Sequence, residues 1–278
     1  MTSRFPHRAL VRYTASGHIL IDPRDDPDWI VDAMLATGYD EEFCLALDFE
    51  AGFVADLMKA GFLVMSANLG EEPEGEGEAP HTAGPAANPL PQYLLLPKLH
   101  LERSALFFPD LHVTKTIRRF LPRYELRVDG IPAGEIQGME ALFSLPSGPA
   151  SDFDHILRRC VEVHDDEWLT EPLRDLIREI RARPEMPVKP LSFGVYRDGK
   201  LRAGEFGILA GKVYTSYSGY YDEDNAGSAQ MILTARYLEQ QGAPFWDLGM
   251  PLDYKEFLGA KNIDPFQFVE LFRSGQVW

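Results

Sequence analysis

Asp247 closes the apolar run PFWDLG, and a carboxylate at the C-terminal end of a strand lies where open α/β sheets place their ligands. Such a group can orient a ligand or take a proton. A carboxylate near its reference value of about 3.9 is a weak base for an ammonium, so positioning and proton transfer are both open to Asp247. Satisfying a nearby turn is a third role. Glu205 and Asp253 are further acids that strand register could bring to the same place. Tyr217 can donate or accept a hydrogen bond but carries no charge at pH 7. Gly227 and Ser228 stand where a helix begins, and free backbone N–H groups there suit a phosphate or a developing oxyanion.

The elements that must position these residues run from Leu191 to Leu258. LSFGVY is a strand, Asp198-Gly199 supplies the positive φ angles of a two-residue hairpin turn, and LRAGEFGIL returns. Ala210-Gly211 turns the chain again into KVYTSYS. An acidic turn, Asp222-Glu223-Asp224, then leads to a helix that stops at Gly242. Tyr214, Tyr217, Tyr220 and Tyr221 could stack a nucleic-acid base, or fill a core as their strand preference suggests.

Upstream, YTASGHILI reads as a strand, and Asp26 with Pro27 caps a helix ending at Gly38. FCLALD and FLVMS are strands around the amphipathic FEAGFVADLMKAG. The stretch NLGEEPEGEGEAPHTAGPAANPLP has too few bulky apolar residues to offset ordering entropy and is expected to be a linker or surface excursion. These features divide the chain into a small N-terminal α+β domain (1–69), a linker (70–92) and a catalytic domain (93–278). Residues 130–150 are expected as an added hairpin or excursion. Thr114 begins a short helix whose Lys115, Arg118 and Arg119 share one face; that face is either solvated or meets phosphates. Arg174, Arg178 and Arg181 form a second row, expected to pair with Asp175 and Glu179.

At 278 residues and 45% apolar content the chain can bury a sizeable core. No apolar run approaches the roughly 20 residues of a membrane helix, and MTSRFPHRAL lacks the apolar core of a signal peptide, so a cytoplasmic protein is expected. The net charge of −16 opposes a large nucleic-acid footprint. Residues 1–97 hold 16 of the 43 acids and only 5 of the 27 bases, so the excess lies mainly outside the catalytic part. Cys44 and Cys160 form no CxxC pair and are expected as buried thiols. No metal is expected: Asp22, Asp25, Asp26 and Asp28 lack EF-hand spacing, and His164 to Glu167 lacks a His-Glu-x-x-His pattern.

DLGMPLDYKEFLGA at 247–260 resembles the Asp-x-Gln…Ser-Leu-Gly-Ala segment of leucyl/phenylalanyl-tRNA protein transferases, with Asp247, Leu258, Gly259 and Ala260 matching. Ser218 and Asn225-Ala226 match the family's Gly-Glu-Ser-Met-Phe-Ser…Asn-Ala-Ser segment, VTKTIRR resembles Val-Ser-Arg-Ser-Leu-Arg-Lys, and Trp168 lies where the family has Thr-Trp-Ile. The family's Glu falls on Tyr217, its Gln on Gly249, and its Trp-Trp-Ser-Pro is absent. The resemblance implies an acetyltransferase-like (GNAT) mixed sheet flanked by helices. It implies transfer of an amino acid, leucine or phenylalanine, from tRNA to the α-amine of a protein beginning with Arg or Lys, without a cofactor. Asp247 and Tyr217 would serve the reaction, with Ser218, Glu205, Asn225, Gly227, Ser228 and Asp253 around the substrates. Lys115, Arg118 and Arg119 would meet tRNA. Two other readings stay open. An acyl-CoA enzyme of the same fold would use Gly227-x-Ala229, but Asp222, Glu223 and Asp224 would repel a pyrophosphate. A non-catalytic tRNA- or peptide-binding relic would bury Asp247 under Tyr254 or Trp246.

Overall fold

Two strands that run side by side and then separate define the architecture. The computed structural model describes residues 11–70, 92–148, 151–164 and 167–277. Among them, in chain order, are β1 (Arg12–Tyr13), β2 (Ile19–Leu20), α1 (Pro27–Thr37), β3 (Cys44–Leu45), α2 (Ala51–Lys59), β4 (Leu63–Asn68), β5 (Tyr93–Lys98) and β6 (Arg103–Leu106). Next come α3 (Lys115–Phe120), β7 (Glu125–Val128), β8 (Ile131–Pro132), α4 (Met139–Phe143), α5 (Phe153–His164) and α6 (Glu171–Ala182). The C-terminal third holds β9 (Lys189–Arg197), β10 (Lys200–Ala210), β11 (Val213–Tyr221), α7 (Ala226–Gln241), β12 (Trp246–Asp247), α8 (Asp253–Leu258), β13 (Lys261–Ile263) and α9 (Pro265–Gly275).

The main sheet has the order β13-β6-β12-β11-β10-β9-β7-β8. Helices cover it, making a mixed α+β architecture. Its neighbours are antiparallel except β11 and β12, which α7 joins as a parallel crossover. The expected hairpin forms at Asp198-Gly199, with φ of 54° and 72°, the left-handed pair such a turn requires. β11 is longer than expected, taking in Tyr220 and Tyr221 before the acidic turn. The excursion after residue 130 is built into the fold: β8 extends the sheet edge beside β7, and α4 packs Met139 and Leu142 into the core.

Both sheet faces are buried, which explains why β9 and β10 read as nearly continuous apolar runs. On one face Phe153, Ile156 and Leu157 of α5 join Phe206 and Ile208. On the other, Ala229, Ile232 and Leu238 of α7 lie with Phe193, Leu209 and Trp246. Each fully buried Phe, Leu or Ile contributes about 1.5–3 kcal/mol. Cys44 and Cys160 are buried and form no disulfide, and burial pushes Cys44 up to about 12.

The N-terminal strands pack over one face. β1, β2 and β3 form a small sheet, β4 pairs with β5, and Ala46 bridges to Leu95. Asn68 faces Tyr93, and Leu69 N–H donates to Gln92 O at 2.7 Å. The chain thus leaves and re-enters one hairpin around residues 71–91, so both ends of the expected linker lie in that hairpin. Residues 71–91 themselves lie outside the described residues.

Candidate active site

β12 pairs with β11 only at Tyr214–Trp246 and Thr215–Asp247, whereas β11 runs on to Tyr221. From Ser216 onward, the edge of β11 that faced β12 loses that partner. At the same point β11 bulges. Phe206 faces Ser218 and Gly207 faces Ser216, leaving Tyr217 as the extra residue. Gly207 is required there, because a Cβ would come within 2.1 Å of Thr215 O. Ser216, Tyr217, Ser218 and Gly219 are all partly exposed, unlike the buried start of the strand. A sheet that opens in this way presents backbone donors and acceptors to a ligand.

Asp247 lies at the end of β12, as expected, but is fully buried. Arg103 of β6 meets it as a bidentate fork, Nε to Oδ1 at 2.8 Å and Nη2 to Oδ2 at 2.7 Å. Thr215 Oγ1 donates to Oδ2 at 2.7 Å, and Gly249 N–H donates to Oδ1 at 3.0 Å. Each oxygen therefore has two donors. A buried carboxylate held this way is fixed in place. Arg103 is itself buried, lies over the Phe268 ring at 4.4 Å, and donates through Nη1 to His100 Nδ1 at 2.8 Å. Burial and the Arg103 charge push His100 down to about 2, so its imidazole stays neutral.

Tyr217 sits on the same side. Its hydroxyl accepts from Val64 N–H of β4 at 3.1 Å, and its ring lies 6.3 Å from Trp168 and 5.9 Å from Phe206. Burial raises its phenol well above the ordinary 10, so Tyr217 remains protonated and can act only through hydrogen bonding.

Glu205 lies across the sheet on the α7 side. It is 5% exposed, opposite Gly219 in register, and accepts from Ser216 Oγ at 2.8 Å through Oε2. Ser216 Oγ accepts in turn from Trp246 Nε1 at 3.0 Å. Gln230 of α7 lies close and favours the ionised form, but buried Oε1 has no hydrogen bond of normal geometry. Desolvation dominates, and the carboxyl is pushed up to about 8. Lys255, in α8, is also buried. Its Nζ donates to Leu248 O at 2.6 Å and Met250 O at 2.8 Å, fixing the loop after Asp247, and burial lowers it to about 8.

The other expected residues are spread more widely. Ser218 faces the Phe206 side of β11. Asn225 adopts a left-handed φ of 69° before α7, and a Cβ on Gly227 would meet the Tyr221 ring at 3.0 Å. That turn follows Tyr221, five residues beyond Ser216, or roughly 17 Å along a strand; Ser228 is exposed beside it. Asp253 is exposed at the start of α8. Lys115, Arg118 and Arg119 are exposed on α3, whose approach is tied to α8 by His112 N–H to Leu258 O at 2.8 Å. Of the tyrosines, Tyr214 and Tyr220 are core residues and Tyr221 is exposed. Arg103, Thr215, Ser216 and Lys255 escaped sequence reasoning. The available signal was a charged residue at the start of the run RSALFF, in which only Ser104 is otherwise polar.

Several charges are paired differently from expectation. Asp222 meets Arg159 at 2.6 Å, and Glu223 meets Arg197 at 2.5 Å and Arg202 at 3.3 Å, which offsets their repulsion of an anion. Arg178 pairs with Asp175 and Asp154, whereas Arg181 is buried against Asp129 and Glu179 pairs with Arg183. Among the described residues, no helix is long and apolar enough to cross a membrane, and no group of three or more His, Cys, Asp or Glu gathers to hold a metal ion.

Residues 149–273, which include the parting strands, match the profile of the leucyl/phenylalanyl-tRNA protein transferase family. A leucyl/phenylalanyl-tRNA–protein transferase of Pseudomonas fluorescens is 26% identical over 171 residues, covering 60% of this chain and 66% of the relative. The corresponding protein of Pseudomonas entomophila is 24% identical over 173 residues, with the same coverage. The match thus spans just under two thirds of these relatives' length. Among solved structures, L-PGS from Bacillus licheniformis is similar at a TM-score of 0.35 and 15% identity, covering 87% of this chain and 68% of that one.

Proposed function

We propose that this divergent relative of the leucyl/phenylalanyl-tRNA protein transferases is an aminoacyltransferase, moving an amino acid from tRNA to the N-terminal α-amine of an acceptor protein. The observation that carries the reading is that the family match includes the place where β11 and β12 part, beside the clamped Asp247. We further propose a GNAT-like fold, a cytoplasmic location, and units 1–69 and 93–278 flanking an excursion at 70–92. Limited proteolysis should nick that excursion first, with the flanks remaining associated through the β4–β5 pairing. Resistance there with cleavage elsewhere would overturn this division.

The ester of an aminoacyl-tRNA is already activated. The acceptor amine attacks the ester carbonyl, the bond to the ribose oxygen breaks, and the amine's surplus proton is returned overall to the released ribose hydroxyl. The protein must align the two substrates and stabilise the oxyanion. Asp247, with both oxygens occupied, fits the positioning role better than that of a free base: through Thr215 and Gly249 it fixes the ends of the parting strands. Tyr217 and Ser218 present hydroxyl groups nearby. Lys115, Arg118 and Arg119 form the tRNA-facing surface, while Asn225, Gly227, Ser228 and Asp253 border the substrates farther out.

The test follows a labelled amino acid from charged tRNA to peptides beginning with Arg, Lys or a neutral residue. Transfer favouring basic N-termini is expected. No transfer from any charged tRNA would overturn the reading. The arginines that neutralise Asp222 and Glu223 support a second reading, an acyl-CoA N-acyltransferase. Saturable micromolar binding of coenzyme A would favour it.

A further inference from the structure

The opening in the sheet has two sides of unlike character. On the Asp247 side, Tyr217, Trp168 and β4 close in, and Asp247 has its donors in place. On the α7 side, partly exposed Ser216 leads to Glu205, whose Oε1 is buried with Gln230 close by but no hydrogen bond of normal geometry. Trp246, Gln230 and Lys255 lie around it, and exposed Tyr254 of α8 is close enough to feel its charge. Leaving a buried polar atom unpaired is unfavourable. The geometry points to a polar recognition pocket in which Glu205 Oε1 receives a hydrogen bond from the side chain of the transferred amino acid.

This inference rests on the transferase reading and names its substrate class. The reacting carbonyl belongs at the exposed edge of β11, and the side chain of the donor must then enter one of the two sides. An aliphatic or aromatic side chain on the α7 side would leave Oε1 unpaired and further desolvated. A side chain ending in N–H groups would satisfy it. Burial already pushes the carboxyl up to about 8, so a neutral donor meets a protonated acid, while a cation would draw it into the ionised form. A site that hydrogen-bonds its substrate strongly rejects analogues without the matching group. The pocket therefore disfavours leucine and phenylalanine, the amino acids in the relatives' names.

Binding, read separately from turnover, tests this. Leucine, phenylalanine, glutamine and lysine are each joined through an amide to 3′-amino-3′-deoxyadenosine, and affinities are measured by calorimetry. The glutaminyl or lysyl compound should bind tighter than the leucyl one by on the order of 10-fold or more, and Glu205→Leu should reverse that order. Lysyl ahead of glutaminyl identifies a cationic donor; the converse identifies a neutral one. If Glu205→Leu does not fold, Glu205→Gln keeps the shape and should weaken the lysyl compound relative to the glutaminyl one. Equal or tighter binding of the leucyl compound by the unaltered protein, an order unmoved by substitution, or binding of none would overturn the pocket. Selective binding without transfer from any charged tRNA would instead overturn the transferase reading and leave the pocket standing.

Discussion

Asp247 and Glu205 flank the same opening from opposite faces of the sheet, yet one has two donors on each oxygen and the other has an oxygen with none. Their burial is nearly equal, at 0% and 5% exposed. Burial alone therefore does not decide how fully a carboxyl is satisfied. Asp247 receives hydrogen bonds from a guanidinium, a hydroxyl and a backbone N–H. Glu205 has a hydroxyl, a nearby amide and the more distant Lys255, and its carboxyl is pushed up to about 8. The saturated group suits a fixed structural charge beside the reaction. The unsaturated one suits recognition, because its missing partner can come from a ligand.

The largest expected effect comes from removing the cation. Arg103→Leu strands the Asp247 charge in a buried site and should lower unfolding stability by about 3–5 kcal/mol in urea titrations. A loss under 1 kcal/mol would mean that Asp247 is not held as the ion pair describes. Asp247→Asn keeps the shape but weakens the grip on β6, β11 and the Gly249 turn. We expect transfer to fall roughly 10²-fold, the scale of a small misplacement of reacting groups, with aminoacyl-tRNA affinity changing far less. Undiminished transfer would remove Asp247 from the site.

A surface change should leave both carboxylates untouched. Reversing Arg118 and Arg119 to Glu should weaken tRNA binding and flatten its salt dependence, by a slope of roughly 1.4–1.8 if both meet phosphates. It should leave the Asp247 and Glu205 stability effects unchanged. An unaltered salt slope would place tRNA elsewhere.

The pH profile separates two further buried groups. Folded Glu205 keeps its proton up to about 8, against an ordinary 4.5, so the folded state binds more protons through that window. Its contribution to stability therefore falls as pH rises from 4.5 to 8. Glu205→Gln should remove that slope. His100 acts in the other direction. Held neutral down to about 2 against an ordinary 6.5, it contributes stability above pH 6.5 that is lost as pH falls, and His100→Gln should reduce that acid sensitivity. Identical pH profiles for all three proteins would show that these buried groups titrate alike folded and unfolded.

Much of this protein was legible before folding. Asp26 and Thr114 cap α1 and α3 because their side chains reach a backbone N–H two or three residues on, and Asp198-Gly199 turns because that pair tolerates positive φ. Such signals are local. The apolar pattern likewise marked the central strands, and the segment at 247–260 carried the family resemblance. Tertiary structure decided what the site residues touch. Arg103 lies 144 residues from Asp247, and the Tyr217 hydroxyl meets Val64 N–H across 153 residues. Neither partner has a spacing that a periodic pattern could reveal. Likewise, the bulge at Tyr217 arises from pairing between β10 and β11, and the opening exists because β12 pairs with β11 for only two residues. Sequence determined which chemical groups were available and which local elements would carry them. Long-range pairing decided which carboxylate would be saturated with donors and which would be left short, because that depends on neighbours the chain meets only after it has folded.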